Sequence, residues 1–251
     1  MDREDTGSSP VIRPTENKII LKKTYFLYTL PFLFFLNCKN EKKNSTAEAK
    51  VPETHQTEKT DSLVTARIDS SQVPKGLKYK GDFKDGFRWK DKTGEYMVIT
   101  SETGVYINES FTHENDGSDA EVFAHCYSLE NNQQIWKVND FIKDCMVDID
   151  AAFKKNSLSV TDLDKNGIAE VWVMYEMACK GDISPSDLKV IMYEGKQKFA
   201  MRGETKIRSG MEDQGKPVFE GGTYTFDKAF QQGPKVFREY AEKLWAEQVQ
   251  D

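Results

Sequence analysis

Short runs of apolar or alternating residues, separated by turn residues, cover the C-terminal part of the chain. The run at 87–89 precedes a turn at 91–94, and the run at 96–100 precedes a turn at 102–104, which a further strand-like run at 105–107 follows. The same arrangement recurs with runs at 121–129 and 134–138, at 158–160 and 171–177, and at 188–193 and 198–201. Strand-length runs joined by Gly, Asn and Asp turns indicate β-hairpins. We therefore predict a mainly β fold of the α+β class, with an antiparallel hairpin or meander sheet; sandwich, barrel and blade-like topologies all fit the turn spacing.

The last segment of the chain has a different period. It begins after Gly233-Pro234, and Pro is common in the first turn of a helix. Five apolar residues then follow at helical spacing: Phe237, Tyr240, Ala241, Leu244 and Trp245. This stripe predicts a C-terminal amphipathic helix packed on one face of the sheet. A helix that binds a partner protein would show the same pattern. A weaker apolar pattern at 138–143 suggests a second helix.

A targeting signal is the clearest feature near the N-terminus. Three lysines at 18, 22 and 23 precede twelve uncharged, mostly apolar residues at 25–36. A membrane-spanning helix needs about 20 such residues, so this run fits the apolar region of a signal peptide. Cys38 follows directly, as in a bacterial lipoprotein, although Asn37 replaces the usual small residue before it. We predict a lipoprotein signal peptide at 18–37 and lipidation of Cys38; an uncleaved anchor and a plain signal peptide are the alternatives.

The remaining boundaries follow from composition. Residues 1–17 precede the signal pattern, and we expect an over-extended gene start there. Residues 38–74 contain no aromatic residue and are rich in Lys, Glu, Thr, Ser and Asn. Such a segment buries too little apolar surface to offset its ordering entropy, so we predict a disordered tether. A single globular β-rich domain is predicted at 75–251, with 64–68 as a short strand or helix at its uncertain start.

The charge balance limits the class of partner. The chain has 35 Lys and Arg against 41 Asp and Glu, a net charge of −6. A general nucleic-acid binder needs a basic face, so we predict no nucleic-acid partner. The expected partners are a membrane, through the lipid anchor, and cell-surface glycan or envelope proteins. The expected location is the cell envelope, at the outer membrane.

One loop has a pattern with a definite chemistry. In the segment 161–172, Asp162, Asp164 and Asn166 alternate, Gly167 follows, and Glu170 is three residues further on. Calcium prefers several oxygen ligands, and alternating acidic side chains in a tight loop converge on one point. The twelfth position from Asp162 is Val173 rather than Glu, so the loop is not an EF-hand. We predict these four residues as calcium ligands, with a polar hairpin turn as the alternative.

The cysteines fit an exported protein. If Cys38 is lipidated, three cysteines remain, and exported thiols tend to oxidise. We favour a disulfide between Cys145 and Cys179, because both lie at the ends of strand-like runs beside polar loops. Cys126 is then a buried free thiol. It does not pair with His125 as a nucleophile, because neighbouring strand residues point to opposite faces.

Further polar and aromatic residues admit weaker functional interpretations. The acidic segment 113–121 resembles a cation loop or a sugar contact, but such runs are more often solvated loops. Asp144, Asp148 and Asp150 alternate and are expected to share a strand face, and glycoside hydrolases use a pair of carboxylates. Trp89 and Trp136 are candidate sugar platforms, although a strand Trp is more often a core residue. Motifs for phosphate, dinucleotide, zinc or serine-hydrolase chemistry are absent from the sequence.

Several sequence blocks together resemble a family of flavobacterial-type (Bacteroidota) lipoproteins that are described as surface polysaccharide (lipopolysaccharide) biosynthesis proteins. These blocks are 144–149, 161–172, 181–189, 191–195, 198–203 and 233–237. The resemblance covers roughly residues 77–249 and implies a role in making or displaying surface glycan, without implying catalytic residues. The expected function is a non-catalytic, lipid-anchored accessory protein. The alternatives are a calcium-stabilised glycan- or protein-binding surface module and a secreted glycan-active enzyme.

Overall fold

The computed structural model describes residues 63–213 and 215–250. Cys38, the predicted signal peptide, residues 1–17 and the predicted tether up to residue 62 lie outside the described residues. The described strands are β1 (Val64–Ile68), β2 (Asp82–Asp91), β3 (Gly94–Glu102), β4 (Ser118–Ser128), β5 (Gln134–Cys145), β6 (Asp148–Phe153), β7 (Ser159–Thr161), β8 (Glu170–Lys180), β9 (Asp187–Glu194), β10 (Gln197–Glu204), β11 (Lys206–Met211), β12 (Pro217–Gly221) and β13 (Tyr224–Phe226). A 3-10 turn occupies Ser70–Gln72, and the helices are α1 (Lys228–Gln232) and α2 (Lys235–Gln248).

These strands form two main antiparallel sheets. The first sheet has the order β1-β2-β3-β4-β5, so each strand pairs with the next along the chain. The second sheet has the order β13-β10-β9-β8-β6, with β7 also paired to β8. A separate hairpin joins β11 to β12. The fold is therefore mainly β with hairpin and meander connections, as the turn spacing predicts.

The two sheets pack face to face around a shared apolar core. From the first sheet this inter-sheet core takes Trp89, Val98, Val122, Ala124, Cys126, Trp136 and Val138; from the second it takes Val171, Val173, Tyr175, Met177, Ile191, Tyr193 and Ala200. Side chains alternate across each strand, so one face of each sheet enters this core. Of the topologies left open by the sequence, the described domain adopts the sandwich.

The opposite face of the second sheet is covered by the two helices. Trp172, Met174, Val190 and Met192 point away from the inter-sheet core and pack against α1 and α2. The helices contribute Phe230, Phe237, Ala241, Leu244 and Trp245 to this second core. The predicted docking of the apolar stripe on a sheet face is confirmed. In the described part of the chain, neither helix has the length and apolar character needed to cross a membrane.

The outer face of the first sheet is covered by the chain segment that precedes β2. Ile68 and Leu77 are buried against Met97, Ile99 and Tyr127. Strand β1 pairs in register with β2, from Val64 opposite Lys90 to Ile68 opposite Gly86. The folded domain therefore extends back at least to residue 64, and the predicted boundary at 74 is corrected. Composition missed this boundary because a few apolar residues suffice to anchor an edge strand.

Two local predictions are wrong. Residues 138–143 are part of β5 rather than a helix, because pairing with β4 along the whole strand overrides the local apolar spacing. Residues 105–107 form a single bridge, between Tyr106 and Asp119, in place of a continuous strand.

A disulfide links Cys145 to Cys179, the pair favoured by the sequence analysis. Cys145 ends β5 in the first sheet, and Cys179 lies near the end of β8 in the second. Their Cα atoms are 5.8 Å apart. The bond therefore ties the two sheets together at the end where β8 finishes. Cys126 is a free, buried thiol, and burial raises its pKa far above the ordinary value.

Reduction of this disulfide should destabilise the domain. The bond spans 34 residues, and closing a loop of that length removes about 3–4 kcal/mol of unfolded-state entropy in the chain-entropy model. We expect a reductant to lower the free energy of unfolding of the wild type, measured by urea denaturation, by about this amount. It should have little effect on a Cys145→Ala/Cys179→Ala variant. A reductant effect of equal size in both proteins would contradict this assignment.

Candidate functional site

The loop between β7 and β8 gathers three carboxylates. Ligand atoms of Asp162, Asp164 and Glu170 lie within 4.8 Å of one another. Asp162 and Asp164 are partly exposed, whereas Glu170 is completely buried. This cluster could hold a metal ion. The structure brings together three of the four predicted ligands.

Glu170 is fixed by the loop that it helps to form. Its carboxylate accepts hydrogen bonds from the backbone N–H of Leu163, at 3.0 and 2.9 Å, and from the hydroxyl of Thr161, at 2.6 Å. Thr161 in turn accepts a hydrogen bond from Trp172 Nε1, at 2.9 Å. Burial raises the pKa of Glu170, and the hydrogen bonds from Thr161 and Leu163 oppose that shift. A bound cation would favour the charged form of this carboxylate.

The other loop residues shape the turn. Asp164 accepts from the backbone of Asn166 at 3.1 Å, and Asp162 Oδ2 accepts from the backbone of Gly167 at 3.2 Å. Lys165 and Gly167 have φ values of 59° and 79°, so the loop passes twice through the left-handed region. Gly avoids the steric cost of that conformation.

Asn166 differs from its predicted role. Its side-chain oxygen accepts from the backbone N–H of Ile168 at 2.7 Å, and its side-chain nitrogen donates to Asp164 and Glu194. The amide oxygen is thus used in the turn, and the amide nitrogen is the group that contacts Asp164. The close approach of Glu194, from β9, could not be read from the spacing within the loop.

One oxygen in the cluster supports the fit of a cation. Asp162 Oδ1 is buried and has no hydrogen-bond partner among the described residues. An unpaired buried carboxylate oxygen is costly, and a metal ion is one of the groups that satisfies it. Oxygen donors of this kind suit a hard divalent cation.

The second acidic segment serves the structure of its own loop. Asp119 is completely buried and accepts hydrogen bonds from the backbone of Asn108 and of Asp144, at 2.6 and 2.9 Å. His113 Nε2 lies 2.7 Å from the same carboxylate. Together these contacts fasten the 104–117 connection to the first sheet. The buried carboxylate therefore acts as a structural anchor.

The expected alternation of three aspartates on one strand face is also wrong. Asp144 lies in β5, whereas Asp148 and Asp150 lie in β6, beyond the turn at 146–147. Asp144 binds the backbone of Glu114 and Gly117, each at 2.8 Å. Hydrogen bonds from these backbone groups lower its pKa.

His125 and Cys126 point to opposite faces of the first sheet, as strand geometry requires. Cys126 enters the inter-sheet core, whereas His125 stacks on the outer face between Phe123 and Tyr127. His125 is 5% exposed, and its Nε2 has no hydrogen-bond partner among the described residues. Burial lowers the pKa of this imidazole.

Trp89 and Trp136 are buried, so neither is an exposed platform. They nevertheless line a cavity of about 240 Å³ at one end of the sandwich. Tyr96 and Tyr193 complete its aromatic lining, and Ile168 and Ala169 from the candidate cation loop form part of its wall. Sequence reasoning missed both tyrosines, because they lie about a hundred residues apart and line one cavity only after the two sheets have packed together.

Comparison with protein families, with characterised proteins and with solved structures gives no match for this chain.

Protonation of His125 should destabilise the domain in mild acid. The folded-state pKa lies below the ordinary value of about 6.5, so the unfolded state binds the proton more readily. Stability should therefore fall as pH drops below about 6.5, by about 1.4 kcal/mol for each unit between the two pKa values. A His125→Phe variant keeps a stacking ring without a titrating group. We expect its melting temperature to fall less than that of the wild type between pH 7 and pH 5; parallel curves would show that His125 is not the cause.

Proposed function

We propose that this chain is an exported, lipid-anchored protein of the cell envelope that acts as a non-catalytic accessory factor in surface polysaccharide or lipopolysaccharide biosynthesis or display. The observation that carries export is the Cys145–Cys179 disulfide in the folded domain. Disulfides persist in oxidising compartments and are rare in the cytosol. This supports the same compartment as the signal pattern and Cys38 at the other end of the chain.

The polysaccharide role is supported by the sequence resemblance alone. Its blocks map onto the folded domain: 161–172 contains the candidate cation loop, 191–195 covers the end of β9 and the first residue of the following turn, 198–203 lies in β10, and 233–237 contains the start of α2. The resemblance therefore concerns the folded domain, with most of its blocks in the second sheet and the helices, rather than the tether.

Several acidic residues are occupied by hydrogen bonds within the fold, which supports an accessory role. Asp119 and Asp144 bind backbone N–H groups of the 104–117 connection. Asp91 is hydrogen-bonded to Trp89, Thr93 and Ala169. Carboxylates held in this way stabilise loops, whereas an acid–base pair needs a carboxyl that is placed to exchange a proton with a substrate.

We also propose that the ion held by Asp162, Asp164 and Glu170 is calcium. The donors are carboxylate oxygens, and the loop backbone and water can complete the six to eight oxygen ligands that calcium takes. Magnesium demands a stricter octahedral geometry. Calcium would reduce the mutual repulsion of three neighbouring carboxylates at the start of β8 and stabilise the turn that they form.

Calcium should raise the melting temperature of the domain. At a concentration 100 times Kd, a ligand that binds only the native state adds about 2.7 kcal/mol to the free energy of unfolding. For a domain of this size, that raises the melting temperature by roughly 5–10 °C. An Asp162→Asn/Asp164→Asn variant should lose this increase, whereas Asp150→Asn, at an exposed position on β6, should retain it. The calcium assignment fails if millimolar calcium leaves the wild type unchanged or shifts the double variant equally.

The biological role is tested by an in-frame deletion, read out by the polysaccharide ladder on a gel. We expect the ladder to be shortened or lost, and the wild-type gene to restore it. Cys38→Ala should abolish fatty-acid labelling and membrane retention of the protein. An unchanged ladder in the deletion strain would refute the polysaccharide role, and undiminished labelling of Cys38→Ala would refute the anchor.

A further inference from the structure

We propose that the aromatic cavity between the two sheets binds one neutral pyranose unit of a surface glycan. The choice of a sugar rests on the proposed function; the size, charge and shape of the ligand follow from the cavity. This site is separate from the three carboxylates of the candidate cation loop.

The walls of the cavity are aromatic. Trp136 of β5 and Tyr193 of β9 stack across the two sheets, with ring centroids 4.2 Å apart and planes 7° from parallel. Trp89 and Tyr96, opposite each other in the β2–β3 pair, stack at 5.4 Å. Within each pair the two facing ring surfaces cover one another, so a ligand meets the remaining ring surface that lines the cavity. Aromatic faces carry partial negative charge and attract the slightly positive C–H groups on one face of a pyranose.

The inside of the cavity favours a neutral ligand group, and the ammonium group of its lining, Lys196, lies exposed at the mouth. Asp91 is the buried carboxylate of the cavity, and one of its oxygens accepts from Trp89 Nε1 at 3.2 Å and from the backbone of Ala169 at 3.0 Å. The other accepts from the backbone N–H of Thr93 at 2.7 Å and from its hydroxyl. An ionised carboxylate has about four acceptor sites, so these four bonds leave none for a ligand. A charged group placed inside would be desolvated without a partner.

The mouth of the cavity is polar. Thr93, Gly195 and Lys196 are exposed there, in the β2–β3 and β9–β10 turns. Hydroxyl groups on the edge of a sugar could reach the hydroxyl, backbone and ammonium groups of these turns while its apolar face lies on the rings. An apolar pocket with a few polar groups at one side is the usual form of a small-ligand site.

The size of the cavity limits the ligand to one ring. Its volume of about 240 Å³ is below the range of about 300–1,000 Å³ that is typical of sites for drug-sized ligands. Cys126 of β4 and Val171 of β8 also line the cavity, and both are buried core residues. The cavity therefore does not extend further between the sheets. Longer glycans would therefore enter by a terminal or protruding unit.

Saturation-transfer NMR on the mature chain, held in a zwitterionic detergent, tests this proposal directly. The probes are methyl glucoside, methyl galactoside, methyl mannoside and N-acetylglucosamine, with benzyl alcohol as a flat apolar ring. We expect transfer to the C–H protons of one face of at least one pyranoside, with half-saturation on the order of 1 mM. Benzyl alcohol should compete weakly.

Two variants assign the binding to the cavity. Trp136→Ala removes a stacking face, and Ile135→Trp fills the cavity from β5 while leaving both aromatic pairs in place. Each should reduce pyranoside transfer at least tenfold. Trp245→Phe, in the core beneath the helices, is the matched control and should bind as the wild type does. Melting curves with an unchanged cooperative transition show which variants are folded, and Ile135→Trp decides the result if Trp136→Ala is not.

The proposal is overturned if no pyranoside shows transfer, if transfer persists in the folded cavity variants, or if benzyl alcohol binds and the pyranosides do not. These results are independent of the polysaccharide ladder. Pyranoside binding with an unchanged ladder would refute the proposed function and leave the binding site; a lost ladder without binding would refute the binding site alone.

Discussion

The structure depends on the central strands of the second sheet, β8 and β9, which are apolar on both faces. In β8, Val171, Val173 and Tyr175 face the inter-sheet core, whereas Trp172 and Met174 face the helices. A strand of this kind is stable only when both of its faces are covered, since exposure of either would return a large apolar surface to water. The first sheet covers one face and α2 covers the other. The three-layer arrangement of the domain follows from this requirement.

The two ends of β8 also organise the polar chemistry. At its start, Glu170 is a completely buried carboxylate, held by Thr161 and Leu163. Near its other end, Cys179 is joined to Cys145 of the first sheet. The strand thus connects a candidate cation loop at one end of the sandwich with a covalent link between the sheets at the other. Both features restrict the positions that the first sheet can take against the second.

Local sequence signals were sufficient for the hairpins and for α2, because turn residues and apolar spacing act within a few residues. They were insufficient where pairing with a distant strand decides the outcome. At 138–143 the apolar spacing fits a helix, yet the segment extends β5 and leaves Phe141 half exposed. The start of the domain, left open at 64–68 as a short strand or helix, was undecided for a related reason, since Val64–Ile68 is ordered as a strand by pairing with β2 rather than by its own composition.

The candidate cation loop could be predicted because its carboxylates are close in sequence, whereas the aromatic cavity could not. Trp136 and Tyr193 belong to different sheets, and only the packing of the two sheets brings their rings together. The predicted role of Asn166 shows the limit of spacing rules within a loop. The rule places the residue near the cluster, but the orientation of its amide is set by Ile168 and by Glu194 from another strand.

The loop and the cavity share the same few residues of backbone. Ala169 N donates to Asp91 at 3.0 Å, and the backbone N–H of Lys92 donates to the carbonyl of Gly167 at 3.0 Å. The conformation of the 162–170 loop therefore sets the position of the cavity wall that contains Ile168 and Ala169. A cation that restricts this loop would also restrict that wall, and a ligand entering a wall that is already ordered loses less conformational entropy. Any such coupling is reciprocal, so a ligand in the cavity would strengthen cation binding by the same factor.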